Sequence, residues 1–152
     1  MTRQIEKLVF NAQKKWADKI VSIGKAYSEK KHIHKLSEEL LDLYAFEFCD
    51  VLFKPTLAKK QQFRSSKDEF ISYFLGNNGV YKEDKGFAIK KWKSIRFENY
   101  KITVYKDSII SMGNYFFENI ESSSLKVEFT FVYIMINNQL KIRLHHSSLP
   151  YN

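Results

Sequence analysis

In the first third of the chain, apolar residues recur every three or four positions, which is the spacing of an amphipathic helix. One such stretch spans residues 3–24, and a second spans residues 34–48. The stripe of the first stretch consists of Ile5, Leu8, Ala12, Trp16, Ile20 and Ile23. Each stripe needs an apolar surface to pack against, so both helices are predicted to lie on another layer of the fold.

A third helix is predicted from its end signals. Ser66 is a suitable N-cap, and Glu69 follows three residues later as its capping-box partner. The run GNNG at residues 76–79 provides a stop signal. The helix is therefore predicted over residues 67–75.

From Gly86 onward, the chain is rich in Val, Ile, Phe, Tyr and Thr, which are typical of β-strands. Short polar breaks divide this part into four segments, and such breaks predict consecutive hairpins. The breaks lie at residues 106–107, 121–124 and 137–139. Earlier in the chain, Pro55 predicts a short strand or loop edge at residues 50–57, because proline cannot donate to a strand ladder.

Helices followed by hairpins predict an α+β fold, in which N-terminal helices pack on a curved antiparallel sheet. The 152 residues suit a single domain spanning residues 1–152. The 44% hydrophobic and 16% aromatic content argues against a disordered chain, because it allows enough apolar burial to offset the ordering entropy. A pocket for a small molecule is expected between the helices and the concave face of the sheet.

Charge and cysteine content narrow the function classes. The formal net charge is +8, but the lysines are spread among acidic residues, so no nucleic-acid partner is expected. Cys49 is the only cysteine, and a reducing compartment is expected. The N-terminus lacks a signal-peptide pattern and no stretch is apolar enough for a membrane span, so we expect a cytoplasmic protein without a membrane partner.

The last segment, LHHSSLPYN at residues 144–152, carries the candidate chemistry. Side chains of a regular strand alternate between faces, and His146 and Ser148 share a face with the apolar residues before them. They are therefore predicted to point inward, and His145 and Ser147 outward or toward a partner subunit. Adjacent histidines on a regular strand diverge, so no metal site is expected. A hydrogen-bonded pair that closes the sheet is the alternative interpretation of His146 and Ser148.

Eight motifs, taken in order, resemble the bacterial iota-class carbonic anhydrases. They are VLFKPTLA (51–58), QFR (62–64), ISYF (71–74), EDKGFA (83–88), IRFENY (95–100), MGNYFF (112–117), VEFTF (127–131) and LHHSSLPY (144–151). The resemblance covers residues 16–151. That family is similar to the association domain of calmodulin-dependent protein kinase II, within the cone-shaped nuclear transport factor 2-like fold.

The resemblance implies reversible hydration of carbon dioxide to bicarbonate, without a metal or other cofactor, and a homodimer built by sheet packing. The predicted catalytic residues are Thr56, Tyr73, His146 and Ser148, and the predicted substrate-binding residues are Thr56, Tyr73, His145, Ser147 and Ser148. His146 is expected to act as base or proton relay. The serine could be Ser147 instead of Ser148, and a one-residue offset would exchange Tyr73 for Phe74.

The alternative function is a non-catalytic cone-domain dimer that binds a small ligand or assists assembly. In that case Thr56 would be a turn-capping hydroxyl beside Pro55, and Tyr73 a core aromatic on a helix face. The residue pattern alone does not decide between the two functions.

Overall fold

Helices pack on a five-stranded sheet, which confirms the predicted α+β class. The computed structural model describes residues 2–76 and 79–152. The helices are α1 (Arg3–Glu29), α2 (Ile33–Asp42) and α3 (Lys67–Leu75), and a short 3-10 helix spans Phe87–Ile89. The strands are β1 (Leu52–Lys54), β2 (Trp92–Tyr105), β3 (Ser108–Asn119), β4 (Ser124–Ile136) and β5 (Gln139–Ser148).

The strands are ordered β1-β5-β4-β3-β2 across the sheet. Strands β2 to β5 form consecutive antiparallel hairpins, as predicted. Strand β1 instead runs parallel to β5, with Leu52 opposite Leu144. The sheet is therefore mixed, because the short strand predicted before Pro55 adds to the β5 edge.

Helix α1 is five residues longer at its C-terminus than the predicted 3–24, ending at Glu29. The Thr2 side chain accepts a hydrogen bond from the Ile5 amide at its start, and Lys30 adopts a left-handed conformation at its end. Trp16, Ile20 and Ile23 of the predicted stripe are buried in the core. Burial of this stripe holds α1 against the sheet.

Helix α2 ends at Asp42, so the prediction that it continues to residue 48 is wrong. The backbone after Asp42 pairs with β5: Ala45 N–H donates to the Ile142 carbonyl at 2.8 Å, and Ile142 N–H donates to the Leu43 carbonyl at 3.0 Å. Strand pairing thus overrides the helical pattern, and it turns Tyr44 into the core.

Helix α3 has the predicted bounds, and its capping box between Ser66 and Glu69 is formed. Gly76 follows the helix with a φ of 68°, a conformation that favours glycine. Asn77 and Asn78 of the predicted stop signal lie outside the described residues.

A β-bulge in β5 reverses the predicted faces of the last strand. Val132 of β4 lies opposite Leu144, whereas the next residue, Tyr133, lies opposite Ile142. Arg143 is therefore an extra residue that shifts the alternation by one position. Ile142 and His145 consequently both point into the core.

The prediction that His146 and Ser148 face inward, with His145 and Ser147 outward, is therefore wrong. His145 and Ser147 are buried. His146 is exposed, and Ser148 is half-buried and donates a hydrogen bond to Glu128 at 3.0 Å. The alternation rule fails here because it assumes a strand without an extra residue.

A second bulge lies in β2 between Asn99 and Lys101, opposite Gly113 of β3. A Cβ atom on Gly113 would lie 2.1 Å from the Glu98 carbonyl oxygen, so only glycine fits this close approach. The Asn99 and Gln13 amides exchange two hydrogen bonds, at 2.7 and 3.0 Å, which tie α1 to the bulge.

Candidate active site

Five polar side chains meet in the core, and we call them the polar cluster: Thr56, Tyr73, Tyr115, His145 and Ser147. Their relative exposure lies between 1% for Ser147 and 9% for Thr56. Buried polar groups must find partners, so their mutual contacts determine what the cluster can do.

The sheet positions three members of the polar cluster. Tyr115 on β3 and Ser147 on β5 lie on opposite sides of β4, and their hydroxyls are hydrogen-bonded to each other. His145, two residues before Ser147, points to the same face. Its Nε2 atom lies 3.0 Å from the Tyr115 hydroxyl and 3.0 Å from Ser147 Oγ.

The segment after β1 and helix α3 supply the other two members. The Leu57 amide donates to the Tyr73 hydroxyl at 3.2 Å, which joins α3 to the turn that carries Thr56. The Thr56 hydroxyl lies near the hydroxyls of both Tyr73 and Tyr115. The Tyr73 hydroxyl therefore lies in the cluster, whereas the ring of Phe74 stacks on Phe53 at 5.5 Å.

The other ring nitrogen of His145 faces away from the cluster. Its Nδ1 atom lies 2.9 Å from the Tyr44 hydroxyl, and Trp16 Nε1–H donates to the same hydroxyl at 3.0 Å. Both nitrogens of this buried imidazole are thus engaged. The imidazole links the cluster to Tyr44 and Trp16 behind it.

Aromatic rings enclose the polar cluster on the side of the core. The His145 ring stacks on Phe131 at 4.1 Å and on Phe53 at 4.8 Å, and Trp16 meets it edge-on at 5.6 Å. These rings fill much of the space in which a pocket was expected.

A cavity of about 300 Å³ lies where β1 meets β5. Its lining includes Phe53 and His145 at the core and the exposed residues Leu52, Phe63 and His146. Leu52 and His146 lie on the outer face of the sheet, so the cavity opens on that face.

Burial keeps the cluster uncharged near neutral pH. It raises the pKa of the Tyr73 and Tyr115 hydroxyls above the usual value of 10.0. Hydrogen bonding with the Leu57 amide lowers the pKa of Tyr73 and that with Ser147 lowers the pKa of Tyr115, each with a smaller effect of Thr56, but burial outweighs both. Burial also lowers the pKa of His145 well below 6.5, with His146 adding to the effect. The tyrosines therefore stay protonated and His145 stays neutral, so the cluster offers hydrogen-bond donors without a net charge.

A buried ion pair holds the segments that carry Thr56 and Tyr73. The Arg64 guanidinium donates two hydrogen bonds to the Asp84 carboxylate, at 2.6 and 2.9 Å. It also donates to the carbonyls of Gln61 at 3.0 Å and Glu69 at 3.1 Å. This single guanidinium therefore ties the loop after β1 to α3 and to the segment before the 3-10 helix.

Of the predicted site residues, Thr56, Tyr73, His145 and Ser147 lie together. His146 and Ser148 lie on the other face of β5, and burial together with the nearby Lys54 lowers the pKa of His146. Within residues 2–76 and 79–152, no group of three His, Cys, Asp or Glu side chains could hold a metal ion. No described helix has both the length and the apolar composition needed to cross a membrane.

Sequence reasoning missed Tyr115, Tyr44 and Trp16 as members or partners of the polar cluster. A signal for Tyr115 exists, because alternation along β3 places it on the same face as Ile109 and Phe117, which are both buried. No comparable signal marks Tyr44, since the helix predicted over residues 34–48 included it and the structure ends that helix at Asp42.

Comparisons with known proteins agree with this architecture. Residues 7–149 match the family model described as metal-independent carbonic anhydrase. A metal-independent carbonic anhydrase from Nostoc sp. is 34% identical over 151 residues, covering 96% of this chain and 74% of the relative. A cyanobacterial iota-carbonic anhydrase, crystallised with bicarbonate, superposes with a TM-score of 0.91 at 32% identity, covering 100% of this chain and 94% of that one.

A more distant structure shows the fold alone. It is a Xanthomonas campestris protein named for the calcium/calmodulin-dependent protein kinase II association domain, with a TM-score of 0.61 at 22% identity, covering 99% of this chain and 89% of that one. The match over residues 7–149 and the 34% identity to the Nostoc relative define the relationship. The chain belongs to the metal-independent carbonic anhydrase family.

Proposed function

We propose that this chain catalyses the reversible hydration of carbon dioxide to bicarbonate at the polar cluster. The family membership and the relative crystallised with bicarbonate support the reaction. The observation that carries the site is the β5 bulge, which turns His145 and Ser147 into the core, where they contact Tyr115 inside an aromatic shell. The cluster thus combines buried hydrogen-bond donors with aromatic walls, which suit a small apolar substrate.

Free hydroxide is too costly for such a site. Zinc enzymes lower the pKa of bound water from about 15.7 to about 7. Without a cation, the same change of about nine pKa units amounts to roughly 12 kcal/mol. Neutral hydroxyl dipoles cannot supply that energy, so the water must lose its proton while it attacks.

A hydroxyl relay provides such a route. The water oxygen forms a bond to carbon while the water passes one proton to a hydroxyl oxygen of the cluster. That hydroxyl gives its own proton to an oxygen of carbon dioxide, so the product is carbonic acid. Carbonic acid then releases a proton to bulk water and leaves as bicarbonate, and the protein returns to its starting protonation state.

Each member of the cluster has a role in this scheme. Thr56 and Ser147 orient the water and relay its proton. Tyr73 and Tyr115 donate to the oxygens on which negative charge develops, and their raised pKa keeps them protonated for this purpose. The rings around His145 contact the apolar substrate.

Hydration of carbon dioxide by the wild-type chain should be fast and unaffected by chelators. Stopped-flow measurements with and without a strong chelator, combined with elemental analysis of the same sample, check this expectation. A rate that chelation abolishes and zinc or manganese restores would contradict the hydroxyl relay. The absence of any rate above buffer would favour a non-catalytic cone-domain module instead.

We also propose that the chain forms a homodimer through the outer face of its sheet. Four apolar residues face each other across neighbouring strands there: Ile110, Val132, Leu144 and Leu52. The neighbouring Met112 is 49% exposed and Leu52 is 56% exposed. An apolar row on an uncovered face favours a second copy of the same chain as its partner.

Val132→Asp should separate this dimer, because the interface would then bury a carboxylate that has no partner. Sedimentation or light scattering should give twice the 18.1 kDa mass for wild type and the single-chain mass for the variant. Ser22→Asp, at an exposed position of α1, is the matched control and should stay dimeric. A wild-type mass of one chain, or a dimeric Val132→Asp, would contradict the proposed interface.

A further inference from the structure

A series of hydrogen bonds connects helix α1 with the polar cluster through His145. Trp16 Nε1–H lies 3.0 Å from the Tyr44 hydroxyl, and that hydroxyl lies 2.9 Å from His145 Nδ1. All three residues are buried, at 2% relative exposure each. Tyr44 therefore approaches the imidazole from the side opposite to Ser147 and Tyr115.

The donor groups fix the direction of these hydrogen bonds. The indole N–H of Trp16 can only donate, so the Tyr44 oxygen accepts from it. In the described part of the chain, the proton of the Tyr44 hydroxyl then has one acceptor within reach, which is His145 Nδ1. Because Nδ1 accepts, a neutral imidazole must carry its proton on Nε2.

The opposite tautomer would leave a buried donor without a partner. With a proton on Nδ1, the Tyr44 oxygen would accept from both Trp16 and His145, and its own hydroxyl proton would point at no acceptor. Buried donors are rarely left unpaired in folded proteins. Hydrogen-bond satisfaction therefore favours the Nε2–H form.

We propose that Tyr44 is a positioning residue that holds His145 in its Nε2–H form, so that His145 donates to Ser147 and Tyr115 instead of accepting their protons. The Ser147 and Tyr115 oxygens both lie 3.0 Å from Nε2. One of their two hydroxyl protons serves the bond between them, and the other is directed away from His145, toward Thr56 and the reacting atoms. His145 is then a donor that orients the relay and is not its base.

This assignment rests on the proposed function only for its effect on catalysis, because the tautomer itself is a property of the resting protein. The lowered pKa of His145 agrees with it, since a neutral imidazole has one proton to place. The tautomer and the catalytic effect are therefore tested separately.

Nitrogen NMR of protein labelled with ¹⁵N-histidine tests the tautomer. His145 is buried, in contrast to the exposed His32, His34 and His146, so its ring resonances are recognised by their contacts with Phe53 and Phe131. We expect a protonated Nε2 and an unprotonated, hydrogen-bonded Nδ1. A proton on Nδ1 would overturn the proposal, and this result needs neither a variant nor an activity assay.

Tyr44→Phe tests the positioning role, with Tyr133→Phe as the matched control. Tyr133 is equally buried, and its ring stacks on Phe131, but its hydroxyl lies beside Ser111 instead of His145. In Tyr44→Phe, the Nδ1 resonance should move to that of a nitrogen without a hydrogen bond, and kcat should fall about tenfold with unchanged KM, as expected for one lost hydrogen bond. Tyr133→Phe should leave the His145 resonances and kcat at their wild-type values.

An unchanged kcat in Tyr44→Phe, despite the shifted Nδ1 resonance, would overturn the positioning role. Equal losses in Tyr44→Phe and Tyr133→Phe would overturn it too, because they would indicate a general packing effect. An inactive wild-type chain would instead refute the proposed function and the catalytic effect with it, while the tautomer would still be decided by the NMR result.

Discussion

Ser147→Ala should lower kcat for carbon dioxide hydration by about 10²–10³-fold, which is the order of magnitude that a positioned proton-transfer group contributes. Ser147 Oγ contacts both His145 Nε2 and the Tyr115 hydroxyl, so its removal interrupts the relay at its centre. The KM should change much less, because the hydroxyl acts mainly as charge develops. Stopped-flow hydration assays give both constants.

Ser148→Ala is the matched control for this prediction. It removes the same hydroxyl from the adjacent position, whose side chain lies on the other face of β5 and donates to Glu128. Its kcat should equal that of wild type, and thermal melts should show that both variants are folded. A loss confined to Ser148→Ala would contradict the proposed site.

Local signals in the sequence were sufficient for most of the helices and hairpins. Ser66 and Glu69 predicted the start of α3, and the structure has the capping box at those residues. The short polar breaks predicted the hairpins of β2 to β5. These features depend on neighbours in sequence, which is why the sequence alone reveals them.

The faces of the last strand depend on a partner strand and could not be predicted. The alternation of Leu140, Ile142 and Leu144 indicated a regular strand, and extending it placed His146 and Ser148 in the core. The register with β4 instead makes Arg143 an extra residue, so Ile142 and His145 share a face. A bulge leaves no reliable mark in the strand that contains it, because pairing with the neighbour defines it.

The roles of the aromatic residues were hidden for a related reason. Trp16 fits an apolar stripe, and its burial in the core confirms that interpretation. The same indole N–H also donates to Tyr44, and Tyr44 contacts His145, which is 101 residues away in the sequence. Trp16 thus both packs in the core and makes a polar contact, but the spacing of apolar residues in the sequence reveals only the packing.

The buried pair of Arg64 and Asp84 connects the fold to the proposed chemistry. Both residues lie in motifs that carry the family resemblance, QFR and EDKGFA, but nothing in either motif predicts that the two side chains form an ion pair. Arg64 also pairs with Phe53 of β1 through two backbone hydrogen bonds of 2.8 Å. The pair therefore fixes β1, the turn with Thr56 and helix α3 with Tyr73 relative to one another.

Asp84→Asn should lower the free energy of unfolding by about 3–5 kcal/mol, because it leaves the Arg64 charge buried without a counterion. The side chains of Arg64 and Asp84 are 0% and 2% exposed, so water cannot replace the lost partner. Asn also cannot reproduce the acceptors that Asp84 presents to Arg64 and Ser72. Urea denaturation followed by circular dichroism measures the change.

Asp18→Asn provides the comparison, since it removes the same charge from an exposed pair with Lys14 at 3.0 Å. Its effect should stay below about 0.5 kcal/mol, as for other exposed helix pairs. Equal small losses in both variants would show that the buried pair does not hold the site together. A large loss in Asp84→Asn alone, with hydration activity falling at temperatures where the variant is still folded, would show that the pair also sets the geometry of Thr56 and Tyr73.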